Sequence, residues 1–430
     1  MKRVLVVLVL IFLSACVEEF DTVVFSSADL PDILIVEATV SDELKHQEIR
    51  LSRLDSLVDL ELDTVFNPFI PSRDIETDLV KWERNANVSI STSNGMTFSF
   101  SESAPGIYRS DEVFAAEMGV EYKLNVRTND NRQFFSKAVK IEGKSSISHM
   151  VAKKMVSDLG EVGVGVFVDT ENIVGNTENL RFTYDETYKI IAPNWSSLKF
   201  ELTNYDPCAL PVQYDLNLVE QTTETRVCYG SDASNTVIQN QTGSPNGELS
   251  DFMVKFISQE DYKISHRYSI EVQEIVSSAE SFGFYDQLRN FSQNTNLFSQ
   301  VQPGFLEGNI FESNGAEGGI IGFFDVVSIA KRRMFFDYED FFPDEELPEY
   351  PIDCGLHSSP ESHFSYCAIG MFPNDCPQSI IERVDLGTIA YVDVNGDNLG
   401  TCPGPYLYVA APCGDCTKLG SNVVPDFWEE

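Results

Sequence analysis

From residue 33 onward, apolar and polar residues alternate with a period of two. Residues 33–40 form a near-continuous β-prone run suited to a buried strand, and 48–54 alternate as a half-buried strand does. Residues 87–91 and 96–100 alternate on either side of Asn94-Gly95, a pair that predicts a tight hairpin because both turn positions favour positive φ. Residues 106–108, 122–126 and 134–141 complete about seven short strands. Residues 55–80 read as loop, interrupted by Asn67-Pro68 and Ile70-Pro71.

A second β-rich stretch follows, with candidate strands at 162–168, 180–184, 188–191, 198–202, 252–257 and 268–276. The polar stretch 231–250 reads as a mobile loop. One helix is predicted over 277–298, opened by Ser277-Ser278-Ala279-Glu280 and carrying Phe284, Leu288, Phe291 and Phe298 as an apolar stripe. The pattern then returns to β at 308–311, 319–327 and 330–336. The expected fold is mainly β: tandem β-sandwiches resembling immunoglobulin-like or transthyretin-like modules, with one helix and a disulfide-rich end over 354–416. The first sandwich is expected at 29–143 and the second domain at 144–430.

The chain opens differently. Met1-Lys2-Arg3 precedes an unbroken apolar run over 4–13, and Leu13-Ser14-Ala15-Cys16 follows. A basic start, a short apolar stretch and small residues before a cleavage point predict a secretory leader at 1–15. The run falls short of the ~20 residues of a permanent membrane span. Leu-Ser-Ala-Cys resembles the lipobox of bacterial lipoproteins, whose cysteine carries a diacylglycerol on sulfur and an acyl chain, commonly palmitate, on its new amino terminus. Cys16 is therefore the expected lipidation site and 16–28 a lipidated tether. Glu18 and Glu19 resemble an acidic signal that sends some Gram-negative lipoproteins to the outer face of the outer membrane.

Charge narrows the partners. The 30 basic and 67 acidic residues give −37, and loss of Lys2 and Arg3 with the leader takes the mature chain to −39. Nucleic acid is excluded as a partner, because gripping phosphates needs clustered Lys and Arg. An acidic surface also repels anionic head groups, so a covalent lipid rather than charge is expected to hold the chain at a membrane.

Nine cysteines are present. With Cys16 lipidated, Cys208, Cys228, Cys354, Cys367, Cys376, Cys402, Cys413 and Cys416 remain, an even set that reads as disulfides in an exported protein. The simplest division joins Cys208 to Cys228, closing a loop worth roughly 3 kcal/mol, and leaves three bridges inside the C-terminal cluster. Cys413-x-x-Cys416 is weighed as a redox pair or as half of a zinc site with Cys354, His357, His363 and Cys367. Pro and Gly surround it in place of a βαβ unit, which favours structural disulfides. Asp393-x-Asn395-x-Asp397 starts like a calcium loop, but Asn398 and Gly404 stand where a glycine and a bidentate acid are required, so a turn at Asn395-Gly396 explains the residues better. No metal, cofactor or catalytic residue is expected, since no HExxH, GxSxG or phosphate-binding loop occurs and five histidines are scattered. Residues 337–353 combine eight acids with aromatics expected to be exposed, and read as a solvated loop or a partner-docking loop.

The last stretch carries Pro412-Cys413-Gly414-Asp415-Cys416-Thr417 and closes on Gly420-Ser421-Asn422-Val423-Val424-Pro425-Asp426-Phe427-Trp428. This ending resembles that of a lipoprotein family known as domain of unknown function 4249. Residues 33–41 with 46–52, Val227-Cys228-Tyr229, and Pro303-Gly304-Phe305-Leu306-Glu307-Gly308-Asn309-Ile310 leading to Gly322-Phe323-Phe324 agree with it. The resemblance implies an outer-membrane lipoprotein of β-sandwich modules, commonly encoded beside a TonB-dependent receptor, and it implies no catalytic residues. The expectation is a non-enzymatic, surface-exposed binding or accessory component of such a receptor system for nutrient uptake. A structural or assembly component of the envelope, or a glycan or peptide hydrolase, are the alternatives.

Overall fold

The computed structural model describes residues 33–53, 81–175, 177–206, 213–245, 247–293, 306, 308–313, 320–359, 380–396 and 405–430. The alternation of the first stretch becomes eight strands: β1 (Leu34–Ser41), β2 (Glu48–Arg53), β3 (Lys81–Trp82), β4 (Asn87–Thr92), β5 (Thr97–Ala104), β6 (Ile107–Ser110), β7 (Tyr122–Arg127) and β8 (Gln133–Ser136). Leu34, Val36, Ala38 and Val40 of β1 face one core with Ile49, Leu51, Val88, Ile90, Leu124 and Val126. The hairpin at Asn94-Gly95 forms between β4 and β5, with positive φ at Gly95 alone. Thr92 N–H donates to the Met96 carbonyl at 3.0 Å, so the turn is wider than the two-residue form and asks for only one left-handed residue.

Five further strands follow before the polar stretch begins: β9 (Gly143–Val156), β10 (Val162–Gly175), β11 (Asn179–Ile191), β12 (Leu198–Asp206) and β13 (Gln213–Glu220). Then come β14 (Val227–Ala233), β15 (Ile238–Gln241), β16 (Leu249–Ser258), β17 (Tyr268–Ser277) and helix α1 (Ala279–Gln293). The Ser278 hydroxyl caps that helix, accepting from the Ser281 N–H at 3.0 Å. Phe284 is buried as expected, whereas Leu288 is exposed.

Residues 231–250, expected as a mobile loop, instead hold the end of β14, all of β15 and the start of β16. Both β14 and β15 pair with β11, whose ladder satisfies backbone groups that the polar side chains do not advertise. The two strands expected at 180–184 and 188–191 are one, because Glu186 between them is buried rather than exposed. Lys263 Nζ donates to it at 2.6 Å, the Tyr268 hydroxyl at 2.5 Å, and Lys255 lies 3.7 Å away. Burial works against the Lys263 charge, yet hydrogen bonds to Asp232 and Glu186 hold that ammonium protonated well above the usual range.

The chain then re-enters the first sheet. Strand β18 (Ile310–Glu312) adds beside β8, and β19 (Ile320–Val327) pairs parallel with β1 from Leu34↔Ile320 to Ser41↔Val327. The first unit is thus a ten-stranded sheet built from two distant stretches of chain. The chain leaves this sheet near residue 143, as expected, but the unit is not confined to 29–143: a buried β1 edge would leave its N–H and C=O groups unpaired, and residues 320–327 supply the partner.

The sheet's two ends also meet. Buried Asn309 donates to the Phe324 carbonyl and accepts from the Phe324 N–H, both at 2.8 Å. Gly308 lies against Gly322, where any Cβ would fall 1.7 Å from the Gly322 carbonyl oxygen, and a Cβ on Gly322 would fall 2.2 Å from the Val36 carbonyl oxygen of β1, so both backbone approaches need glycine.

A single residue, Ser328, separates β19 from β20 (Ile329–Phe336), which belongs to the second sandwich. Asp42 fixes this crossing, accepting from the Ser328 hydroxyl at 2.7 Å and the Ile329 N–H at 3.1 Å. The second core lies between the β16-β10-β9 sheet and the β14-β11-β17-β20 sheet. Val164, Val166, Val168 and Ile257 meet Phe182, Ile190, Ile270 and Val272 there. A third, smaller core joins the β12–β13 hairpin to β21 (His357–Ser358), α2 (Ile380–Asp385), β22 (Ile389–Val394) and β23 (Tyr406–Ala410), around Ile380, Ile381 and Tyr408. Among the described residues, no helix is long and apolar enough to cross a membrane.

Asn309→Ala removes both bonds to Phe324 and strands two buried backbone groups, so a loss of about 2–4 kcal/mol is expected. Urea titration checks it: the midpoint should fall while the slope stays unchanged.

Candidate functional site

The sequence points most insistently to the cysteine-rich end. Cys413 lies in the short helix α3 (Ala411–Gly414), with Cys416 just beyond, and both are fully buried. Their sulfurs do not pair with each other. Cys416 bonds Cys228 on β14 across 188 residues, and Cys413 bonds Cys354 across 59.

The Cys208–Cys228 bridge expected from proximity in sequence is therefore corrected. β14 runs antiparallel to β11 and carries Cys228 inward to the core, where Cys416 meets it. Cys16, Cys208, Cys367, Cys376 and Cys402 lie outside the described residues. With Cys413 and Cys416 in separate bridges, neither a dithiol couple nor a thiolate zinc pair is available at this motif.

Backbone bonds seat the stapled segment. Asn194 N–H donates to the Cys413 carbonyl at 2.9 Å, Cys416 N–H to the Thr225 carbonyl at 2.9 Å, and Ala411 N–H to the Thr388 carbonyl at 2.8 Å. Gly414 fits because a Cβ there would fall 2.5 Å from that of Ala390.

The acidic stretch folds against this staple. Tyr338 and Phe342 are buried with ring centroids 4.9 Å apart, and Phe341 meets Phe336 edge-on at 5.3 Å. The Tyr350 hydroxyl donates to the Pro412 carbonyl at 2.9 Å, and burial pushes its pKa up to about 12. The aromatics expected to be exposed thus turn inward. Glu339, Asp340, Asp344, Glu345, Glu346 and Glu349 stay outside as a solvated rim.

The remaining candidates disperse. Asp393 sits in β22 with its carboxylate on the Val394 N–H at 2.7 Å, and the Asn395 side chain donates to the Ser359 carbonyl at 3.1 Å, so both are spent on local structure. Asp397 and His363 lie outside the described residues. His46 bonds the Ser110 carbonyl at 2.7 Å, and His357 stacks on Tyr408. His266 is held below the usual imidazole range by burial and by Lys189. No group of three metal-ligating side chains occurs among the described residues.

An open cleft of about 320 Å³ is lined by Thr39, Lys45, His46, Gln47, Glu48 and Arg109. Its charges pair internally, Arg109 with Glu48 at 3.0 Å and Lys45 with Glu43 at 2.6 Å. Gln47 is spent on the Phe114 and Glu43 carbonyls.

Buried carboxylates serve the junction between the sandwiches. Asp325 on β19 accepts from the Ser281 hydroxyl of α1 at 2.5 Å and lies 3.7 Å from Arg181 of β11. Burial raises its pKa, and Arg181 opposes the rise. Arg181 also stacks on Tyr285 of α1, 4.0 Å from the ring centroid. Glu274, fully buried beside Thr170, is likewise raised by burial. Desolvation shifts of this kind mark catalytic acids when they open into a cleft; here they sit between packed strands and read as structural. Sequence reasoning had no signal for them, since 67 acids make any one unremarked.

Peptide mapping under non-reducing conditions is expected to find Cys228 linked to Cys416 and Cys354 to Cys413. A Cys413–Cys416 or Cys208–Cys228 peptide would contradict the staple. Replacing Cys228 and Cys416 together by Ala should cost about 2–5 kcal/mol.

Comparison with curated proteins finds no match. A solved structure of manganese lipoxygenase of Gaeumannomyces graminis with part of zonadhesin of Komagataella pastoris aligns with 58% of this chain and 90% of its own. The identity is 10% and the TM-score 0.12, too little likeness to bear on the fold. Residues 17–333 match the family described as Domain of unknown function (DUF4249), a span that takes in the ten-stranded sheet and most of the second sandwich but stops before the stapled end. This chain belongs to the DUF4249 family.

Proposed function

We propose that this protein is a lipid-anchored outer-membrane component that works by binding, as an accessory of a TonB-dependent receptor system for nutrient uptake. The observation that carries the reading is the register of the family match against the leader: it begins at residue 17, immediately after the lipobox cysteine. The family domain thus starts where the lipid would be attached, and the following residues serve as the tether.

Two features support binding over catalysis. The polar groups that burial perturbs face packed strands rather than a cleft. The disulfide-held end and the inward-turned aromatics of 337–353 make a stiff surface, and stiffness lowers the entropic cost of docking.

Cys16→Ser cells and wild-type cells, cross-linked and fractionated in parallel, test the reading. Wild type should sediment with the outer membrane and carry a receptor of the TonB-dependent class into the cross-linked product. The variant should move to the soluble fraction with an unchanged melting temperature. Retention of Cys16→Ser in the membrane would sink the anchor, and recovery of wild type only as a free monomer would sink the receptor role.

A further inference from the structure

In a chain of net charge −37, one sheet face collects cations and rings. Lys189 of β11, Tyr229 of β14, Arg333 and Phe335 of β20, and Arg267 just before β17 stand on the outer side of this sheet, with Arg267 paired to Asp337 at 2.7 Å and Arg333 to Glu271 at 3.1 Å. They adjoin because Lys189 pairs with Tyr229, and its N–H donates to the Arg267 carbonyl at 2.9 Å. Residues 425–430 of the same chain lie across them.

Trp428 meets Tyr229 edge-on at 4.8 Å and Phe335 at 5.7 Å. The Arg333 guanidinium lies 3.6 Å from the Phe427 ring centroid. Lys189 Nζ pairs with Glu430 at 2.8 Å, and Arg267 Nε donates to the Glu429 carbonyl at 2.5 Å.

This segment is held as a ligand is held. Its last ladder contact is the Tyr229–Ser421 bridge, with bonds of 2.8 and 3.0 Å. Beyond it, side chains and one carbonyl make the described contacts with the sheet. Pro425 and Trp428 are half-buried, while Asp426, Phe427, Glu429 and Glu430 remain exposed. Aromatic rings against a guanidinium and the sheet's own rings, followed by a carboxylate on Lys189 and a main-chain carbonyl on Arg267, give recognition by chemistry that another polypeptide can reproduce.

We propose that this face is a binding site for a partner segment in which two aromatic residues precede carboxylates, and that residues 425–430 occupy it as a displaceable strap. The proposal stands apart from the receptor reading, because it concerns which peptide chemistry the face accepts and not where the protein resides. A tethered strap competes at an effective concentration of roughly millimolar. The intact chain should therefore bind such a segment weakly until the strap lifts.

The test uses a fluorescein-labelled peptide of residues 421–430 and fluorescence anisotropy. A variant lacking 425–430 should bind it at least about tenfold more tightly than the full chain does. Lys189→Glu in that variant should weaken binding by about tenfold or more, and added salt should weaken it too. The proposal is overturned if the shortened variant melts cooperatively yet fails to bind, if the full chain binds equally well, or if a scrambled peptide does as well. Should the shortened variant fail to fold, the full-length Phe427→Ala/Trp428→Ala variant decides. Peptide binding above wild type supports a displaceable strap, and no gain shows the segment to be structural only.

Discussion

The parallel pairing of β1 with β19 is the constraint on which the rest of the molecule depends. Antiparallel neighbours can be joined by a short turn, but a parallel partner must arrive by a long connection. Here that connection runs through the rest of the first sheet, most of the second sandwich and α1, so the first sheet closes only after all but β20 of the second has been laid down. Asn309 then joins the sheet's two ends by mimicking a backbone pair on Phe324. Gly308 and Gly322 are conspicuous in sequence as part of a family-like motif; the first allows that approach and the second leaves room for the Val36 carbonyl of β1. Their role is steric rather than chemical.

The second sandwich inherits its position from the same crossing. Ser328 alone separates β19 in one sheet from β20 in the other, and Asp42 grips that joint from the β1 side. Arg181, Asp325 and the capped helix α1 fill the space alongside. A buried ion pair of this sort is costly to desolvate, so its use here fits fixing one relative placement of two units better than adding stability. Farther along, the Cys228–Cys416 bridge ties the end of the described chain back to β14, and Cys354–Cys413 ties the acidic stretch to the same point. The described acidic stretch and the segment that carries Cys413 and Cys416 are thereby tied to the second sandwich.

Much of this was legible in the residues. A near-continuous β-prone run announced β1, alternation announced β2, β4 and β5, and Ser278 announced the start of α1. Strands whose partners lie in polar side chains were not legible. β15 shows one partly buried isoleucine, and β11 looks broken at Glu186 because the lysines that neutralise it, Lys255 and Lys263, come from elsewhere in the chain. The bridges were legible as a set and not as pairs, since loop length favours Cys208–Cys228 while the β14 register carries Cys228 to Cys416. The strands Ile310–Glu312 and Ile320–Val327 were expected, but their place in the first sheet left no local trace, because a parallel partner is chosen by the edge it covers. Of the candidate site, the Cys-x-x-Cys motif was visible and its division between two bridges was not. The strap over β11, β14 and β20 was visible only as a family-like Phe-Trp pair.

If β1 and β19 are one cooperative element, their backbone amides share a single opening. Native-state hydrogen exchange followed by mass spectrometry measures this directly. The account predicts that peptides covering Leu34–Ser41 and Ile320–Val327 exchange with the same opening free energy and the same denaturant dependence. Rapid, independent exchange of the Ile320–Val327 peptide, with Leu34–Ser41 still fully protected, would contradict it.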